Sequence, residues 1–289
     1  MEHMFPDMSI YEKYTKKQLN IQDSNDNCYN TIEDLWRSHV GRDGGATGSE
    51  STTGPAGTHP GKKKFNGDRI CDKDSWYSHG NKYWDNQPAT IDGVCGGYGQ
   101  HHAIQSAHSI NVFKEFVKDL PSTGRALDAG AGIGRVTKTV LSEVFDEIDL
   151  NEQSKVQIEE AKKFVPFVKN FYNCGFQDFK FEHKYDCIWL EWFLMYLTDK
   201  DLIESLMRCR RNLTVDKKTG NSGLIIVKEN IKASGCYLDR EDNSLIRSPM
   251  YFKAIFDTCG LEILTTSNQP GWPKDLFSIC MFVLRKKRH

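Results

Sequence analysis

Nowhere does this 289-residue sequence run through the roughly 20 apolar residues that span a bilayer, and residues 1–30 are too polar for a secretory signal. A soluble chain of the cytosol or nucleus, with no membrane partner, is expected. An excess of one charge is also missing. With 38 basic against 39 acidic residues the formal net charge is −1, so no whole-molecule field draws the chain to nucleic acid. The short basic run Arg285-Lys286-Lys287-Arg288 reads as a solvated tail. No Cys-x-x-Cys pair occurs: the nine cysteines (28, 71, 95, 174, 187, 209, 236, 259, 280) are odd in number and scattered. That excludes a disulfide frame or zinc site and leaves reduced, mostly packed thiols. Adjacent His101 and His102 share no helix or strand face, so no metal is expected. Gly-x-Ser-x-Gly and paired Cys/His nucleophile patterns are absent too.

What remains has a core to bury. Hydrophobic residues make up 38% and aromatics 11%, enough for a packed interior, and the length suits one α/β domain with an appendage. From Arg42 to Asp68, Gly, Ser, Thr, Pro and Lys dominate without apolar periodicity, which predicts a flexible linker. Before it lie scattered aromatics from Tyr11 to Trp36 and one short helix around Thr31–Ser38; the sequence leaves open whether this part docks on the body. Residues 1–74 thus read as a partly disordered N-terminal extension, and 75–289 as the folded α/β domain.

Beyond residue 75, strand-like and helix-like segments alternate, the pattern of a parallel sheet covered by helices. Arg125–Ala129, Glu147–Leu150, Phe171–Asn173, Tyr185–Glu191 and Leu224–Lys228 read as buried strands. Gln153–Phe164 and Asp199–Leu213 read as helices, the second with Leu202, Leu206, Cys209 and Leu213 on one stripe and Arg208 off it. A helix near Met250–Cys259 precedes two runs, Glu262–Thr266 and Phe277–Leu284, that are expected to pair antiparallel. The fold class is α/β, a doubly wound Rossmann-like sheet.

The strongest local signal is Ala126-Leu127-Asp128-Ala129-Gly130-Ala131-Gly132-Ile133-Gly134-Arg135, an apolar strand entering a glycine turn and a helix. Ligands of open α/β sheets lie at the carboxyl ends of strands, where glycines let the backbone approach. The third glycine of the dinucleotide fingerprint would fall at residue 135, which is Arg, so a nicotinamide or flavin dinucleotide is disfavoured. Arg135 instead suits the carboxylate of a methionine-like ligand end. A carboxylate is expected roughly 20 residues further on, to accept from ribose hydroxyls. Glu152 is the first choice and Asp149 the alternative. After the third strand, Phe176 is placed to cover a base while Gln177 or Asp178 meets its amine.

Tyr83-Trp84, Asp92-Gly93 with Gly96-Gly97-Tyr98-Gly99, Leu127 to Arg135, Cys174 to Phe179, Trp189-Leu190-Glu191-Trp192 with Leu197-Thr198-Asp199, and Lys228-Glu229-Asn230 together resemble the α-N-terminal protein methyltransferase family. The resemblance covers roughly residues 75–285 and implies a seven-stranded class I methyltransferase sheet with an N-terminal helical cap. It implies S-adenosylmethionine as cofactor, held by Gly130, Gly132, Arg135, Glu152, Gln153, Ser154, Phe176, Gln177 and Glu191. It further implies a peptide site of Tyr83, Trp192, Asp239 and Ser244, with Asp242, Asn230 and Tyr196 serving catalysis. Tyr196 stands where the family often has His, and Glu191 where Gln is common. The expected partners are proteins exposing X-Pro-Lys or X-Pro-Arg after removal of the initiator Met, met by a monomer. Alternatives from other classes are a methyltransferase for small amines or phospholipid head groups, and a non-catalytic interaction protein.

The chemistry of such a reaction sets modest demands. An α-amine, with a reference pKa of about 7.7–8.0, offers a neutral fraction near pH 7, whereas a lysine amine at about 10.4 offers little. Orientation and mild deprotonation are the main tasks, and Asp242 is the first candidate base. A phenol of pKa about 10 is a poor base itself, so Tyr196 is expected to bond Asp242 or bridge through water. Trp192, at the carboxyl end of its strand, offers a ring on which an ammonium or a proline can stack. Glu229, Asp239, Glu241 and Asp242 are expected in or after the loop leaving the fifth strand, where they suit a basic peptide.

Overall fold

The computed structural model describes residues 6–17, 19–41 and 72–288; the linker expected at 42–68 lies outside them. The chain begins with α1 (Met8–Thr15), β1 (Ile21–Asp23), β2 (Cys28–Tyr29) and α2 (Ile32–His39). Asp7 and Thr31 cap the two helices, accepting from the N–H groups of Ser9 and Asp34. Then come α3 (Lys73–Asp85), α4 (Ile91–Val94) and α5 (His102–Val117). The alternating part runs β3 (Arg125–Ala129), α6 (Arg135–Thr139), β4 (Glu147–Asn151), α7 (Lys155–Phe164), β5 (Asn170–Tyr172), β6 (Cys187–Glu191), α8 (Asp199–Arg211) and β7 (Leu224–Ile231). A hairpin of β8 (Cys236–Asp239) and β9 (Ser244–Arg247), α9 (Pro249–Thr258), β10 (Leu261–Asn268) and β11 (Ser278–Lys286) complete it.

Seven strands form the expected sheet in the order β5-β4-β3-β6-β7-β11-β10; the first five are parallel and β11 is antiparallel to both its neighbours. Strands β6 and β7 are buried from Cys187 to Glu191 and from Leu224 to Glu229, as two helix layers require. The sheet is larger than the seven strands expected. Through the pair Ile231 and Arg247 it continues into β9, β8, β1 and β2, to 11 strands, so residues 21–29 cover the edge that the β8–β9 hairpin would expose.

The stretch from Tyr11 to Trp36, left open by sequence, docks on the body. Tyr11, Tyr14, Leu35, Trp36 and Val40 are buried in one cluster with Leu190, Leu202 and Tyr251. Leu202, Leu206, Cys209 and Leu213 face the same cluster, as their stripe predicts. No helix among the described residues is long and apolar enough to cross a membrane.

Candidate active site

The strand order reverses between β3 and β6, and the carboxyl ends of these neighbours open a cleft. Gly130 follows β3 with φ +61°, and a Cβ there would stand 2.5 Å from the Phe193 ring, so only glycine fits this turn. Opposite it, Trp192 holds φ +59°, a left-handed conformation uncommon for so bulky a residue. Its N–H donates to the Lys228 carbonyl at 3.0 Å, and its indole lines the cleft with the Arg135 guanidinium 5.4 Å from the ring centre.

Arg135 is buried and its Nη2 donates to Glu191 Oε1 at 2.7 Å; Glu191 Oε2 accepts from Trp189 Nε1 at 2.9 Å. Burial opposes the Glu191 charge, yet Lys228 and Arg135 together hold its carboxyl below the usual range. Lys228 is itself fully buried in β7, donating to the Gln105 carbonyl at 3.1 Å and Ser109 Oγ at 2.9 Å, and burial pushes its amine down to about 8.

Glu152 follows β4 and lines the cleft. Its Oε2 accepts from the Gly132 N–H and its Oε1 from the Ser154 N–H, both at 2.8 Å, while burial raises its pKa. Asp149, the alternative, lies inside the strand and is engaged elsewhere: it pairs with Arg125 at 2.9 Å and accepts from Tyr185 and Asn170, both at 2.8 Å. Gln153 lines the cleft, whereas Ser154 does not; its hydroxyl caps α7. Phe176 and Gln177 line the cleft from the turn after β5. Their carbonyls accept from Arg208 of α8 at 2.9 and 2.7 Å, a tether that sequence reasoning missed, though a cation set off an apolar stripe is its trace. Asp178 meets the Gln177 amide at 3.1 Å and does not line the cleft.

Across the cleft, the β8–β9 turn presents Asp242. Its Oδ1 accepts from the Ser244 N–H and its Oδ2 from the Tyr196 hydroxyl, each at 2.9 Å. Burial raises the pKa of both the acid and the phenol, and the Asp242 charge raises the phenol further. Asp239, at the end of β8, turns its carboxylate to the Glu241 N–H at 2.9 Å. Tyr83 lies outside the cleft lining; burial and then the charges of Asp242, Glu241 and Asp239 raise its pKa. Its neighbour Trp84 takes the cleft position instead. Trp76, Gly80 and Trp84, spaced by four along α3, form that wall, and no apolar periodicity announced it.

One expectation is corrected. Glu229 is not in a loop: β7 runs to Ile231 because β11 pairs with it from Leu224 to Ile231. There Glu229 Oε1 accepts from the Phe193 and Leu194 N–H groups at 3.0 and 2.8 Å, and burial lifts its carboxyl to about 8. Asn230 is likewise within β7, paired with Ile279, and neither it nor Ser244 nor Asp239 lines the cleft. His101 packs its ring on Trp272 at 5.3 Å, and His102 Nδ1 stands 3.5 Å from the Arg135 guanidinium. Among the described residues no group of three His, Cys, Asp or Glu is arranged to hold a metal ion.

Two residues of the lining hold buried polar atoms with no partner within the protein: both side-chain ends of Gln157 and the indole nitrogen of Trp192. A polar ligand would satisfy them, which fits a nucleoside-containing cofactor against Gly130 and Glu152. Residues 72–285 match the family described as AdoMet dependent proline di-methyltransferase. The chain belongs to this family. It is 36% identical over 286 residues to alpha N-terminal protein methyltransferase 1 of Dictyostelium discoideum, spanning 95% of this chain and 94% of that one. To the rat N-terminal Xaa-Pro-Lys N-methyltransferase 1 it is 35% identical over 224 residues, 75% of this chain and 98% of the relative. A solved SAM-dependent methyltransferase from Leishmania major superposes with a TM-score of 0.74 at 30% identity, over 92% of this chain and 96% of that one. This family member is therefore a methyltransferase whose cofactor is S-adenosylmethionine.

Proposed function

We propose that this methyltransferase acts on the free α-amino group of proteins, those beginning X-Pro-Lys or X-Pro-Arg once the initiator Met is gone, and that it works as a monomer in the cytosol or nucleus. The observation that carries the reading is the Tyr196–Asp242 pair, which borders the same cleft as Arg135, Glu152 and Glu191. S-adenosylmethionine, when bound, supplies a sulfonium methyl open to in-line displacement by a nitrogen lone pair.

The protein's own residues do the rest. Glu152 uses one lone pair of each oxygen on backbone N–H groups, leaving capacity for ribose hydroxyls. Arg135, neutralised in part by Glu191, faces a ligand carboxylate. On the acceptor side, Trp192 offers its ring to a proline or an ammonium, an interaction of about 0.5–2 kcal/mol. Asp242 takes the amine proton through a lone pair that Ser244 and Tyr196 leave free, and Tyr196, held protonated, orients it. Asp239 and Glu241 at the rim suit the basic third residue, and the relatives named for Xaa-Pro-Lys substrates support that assignment. The test offers a Ser-Pro-Lys peptide and a panel of small amines and phospholipid head groups with S-adenosylmethionine, followed by mass spectrometry. Methylation confined to the peptide is expected; methylation of the small amines alone would overturn the reading.

A further inference from the structure

Asp199, the first residue of α8, is a buried hub for four distant side chains. Its Oδ2 accepts from the Trp36 indole at 2.9 Å and from the hydroxyls of Tyr11 and Tyr251; its Oδ1 accepts from Arg247 Nε at 3.0 Å and Nη2 at 2.8 Å. All five residues are at most 1% exposed. Two of the donors, Tyr11 and Trp36, come from the segment before residue 41, whereas the family match begins at residue 72. Arg247 spends its remaining donors on the carbonyls of Leu194 at 3.2 Å and Leu197 at 2.8 Å, which bracket Tyr196, and of Leu245 at 3.4 Å. A second route starts from the same arm residue. The Trp36 ring meets Trp76 edge-on at 5.2 Å, and Trp76 Nε1 donates to the Tyr196 carbonyl at 2.7 Å. Both routes end on the short turn Leu194–Tyr196, whose last side chain holds Asp242.

We propose that Tyr11 and Trp36 are positioning residues for methyl transfer: by fixing Asp199 and the 194–197 turn they set the Tyr196 hydroxyl, and with it Asp242. This rests on the reading of Asp242 as the proton acceptor. Anchoring alone would need only apolar side chains at positions 11 and 36, as at Leu35 and Ile32 beside them, which are equally buried. Instead the arm brings two polar donors to the one carboxylate whose arginine partner grips the catalytic turn. A buried carboxylate that loses a donor redistributes its remaining partners, here Arg247 and Tyr251, and Arg247 cannot move without loosening the Leu194 and Leu197 carbonyls.

The experiment uses the full chain with Tyr11→Phe and Trp36→Phe, each alone and combined with Asp242→Asn, and measures kcat, KM for peptide, cofactor affinity by calorimetry, and thermal unfolding. Tyr11→Phe removes one hydroxyl and keeps the ring in the core, so it remains informative should Trp36→Phe not fold. In each folded variant kcat is expected to fall roughly tenfold, the order for losing a hydrogen bond to a charged group, with cofactor affinity changed less than twofold. On the Asp242→Asn background the same substitutions should change kcat less than twofold, because the group they position is gone. Folded variants with unaltered kcat, or losses of equal size on both backgrounds, would overturn the proposal and leave the arm a structural support. Full activity of Asp242→Asn by itself would strike the reading of Asp242, and that is seen before any arm substitution is added.

Discussion

The Tyr196 hydroxyl donates to Asp242 Oδ2 at 2.9 Å, tying the turn after β6 to the β8–β9 hairpin across the mouth of the cleft. Both groups are half-buried, and the phenol is held protonated well past neutrality by that desolvation and by the acid beside it. The tyrosine therefore acts as a donor that orients a base and lowers its pKa against the opposing effect of burial.

Tyr196→Phe removes that donor, so the Asp242 pKa should rise. Asp242 must be ionised to take a proton, so the acid limb of kcat/KM for peptide should move to higher pH, and kcat should fall roughly tenfold with cofactor affinity unchanged. Tyr196→His restores a donor and should recover most of the rate. A pH–rate profile of Tyr196→Phe that overlays the parent would refute this role.

Glu152→Ala should weaken S-adenosylmethionine binding by about 1–3 kcal/mol, the range for lost charge-assisted hydrogen bonds. It also frees the Gly132 and Ser154 N–H groups that shape the turn. Asp149→Ala should act differently, lowering the unfolding temperature by leaving the Tyr185 hydroxyl without its acceptor and Arg125 with Glu147 alone, while folded protein keeps its affinity. Calorimetric titration of both variants separates the two acids, and equal affinity losses would show that the distinction is wrong.

Glu229, lifted by burial to about 8, makes stability depend on pH. Its folded value lies above the unfolded one of about 4.3, so the stability it lends is complete below about pH 4 and is lost as pH climbs towards 8. Glu229→Gln keeps an acceptor for the Phe193 and Leu194 N–H groups without a charge. Relative to the parent it should gain on the order of 1–3 kcal/mol between pH 5 and pH 8. Denaturant unfolding at the two pH values measures it, and a difference that stays constant would contradict it.

The cofactor half of the site was legible because its signals are local. A glycine turn after an apolar strand needs only the residues from Ala126 to Arg135, and Glu152 follows from the spacing of one strand and one helix. Helix α5 was not read, since the first half of its buried face carries Gln105, Ser106, His108 and Ser109 and the apolar stripe of Ile110, Phe113 and Val117 is confined to its second half. The helix α3 wall was hidden for a related reason, with Trp76 and Trp84 separated by polar residues. Docking of the N-terminal segment depends on Tyr11 meeting a carboxylate 188 residues away, which no local pattern encodes. Glu229 was misplaced because the length of β7 is set by β11, more than forty residues downstream.

The central claim, an N-terminal α-amine as acceptor, is tested most directly by mass spectrometry of a Ser-Pro-Lys peptide and its α-acetylated twin after incubation with the protein and S-adenosylmethionine. Acetylation removes the nucleophilic lone pair and leaves the lysine amine untouched. Methyl groups on the free peptide at its first residue, and none on the acetylated one, are the expected result; methylation of the acetylated peptide would put the acceptor on a side chain and contradict the account.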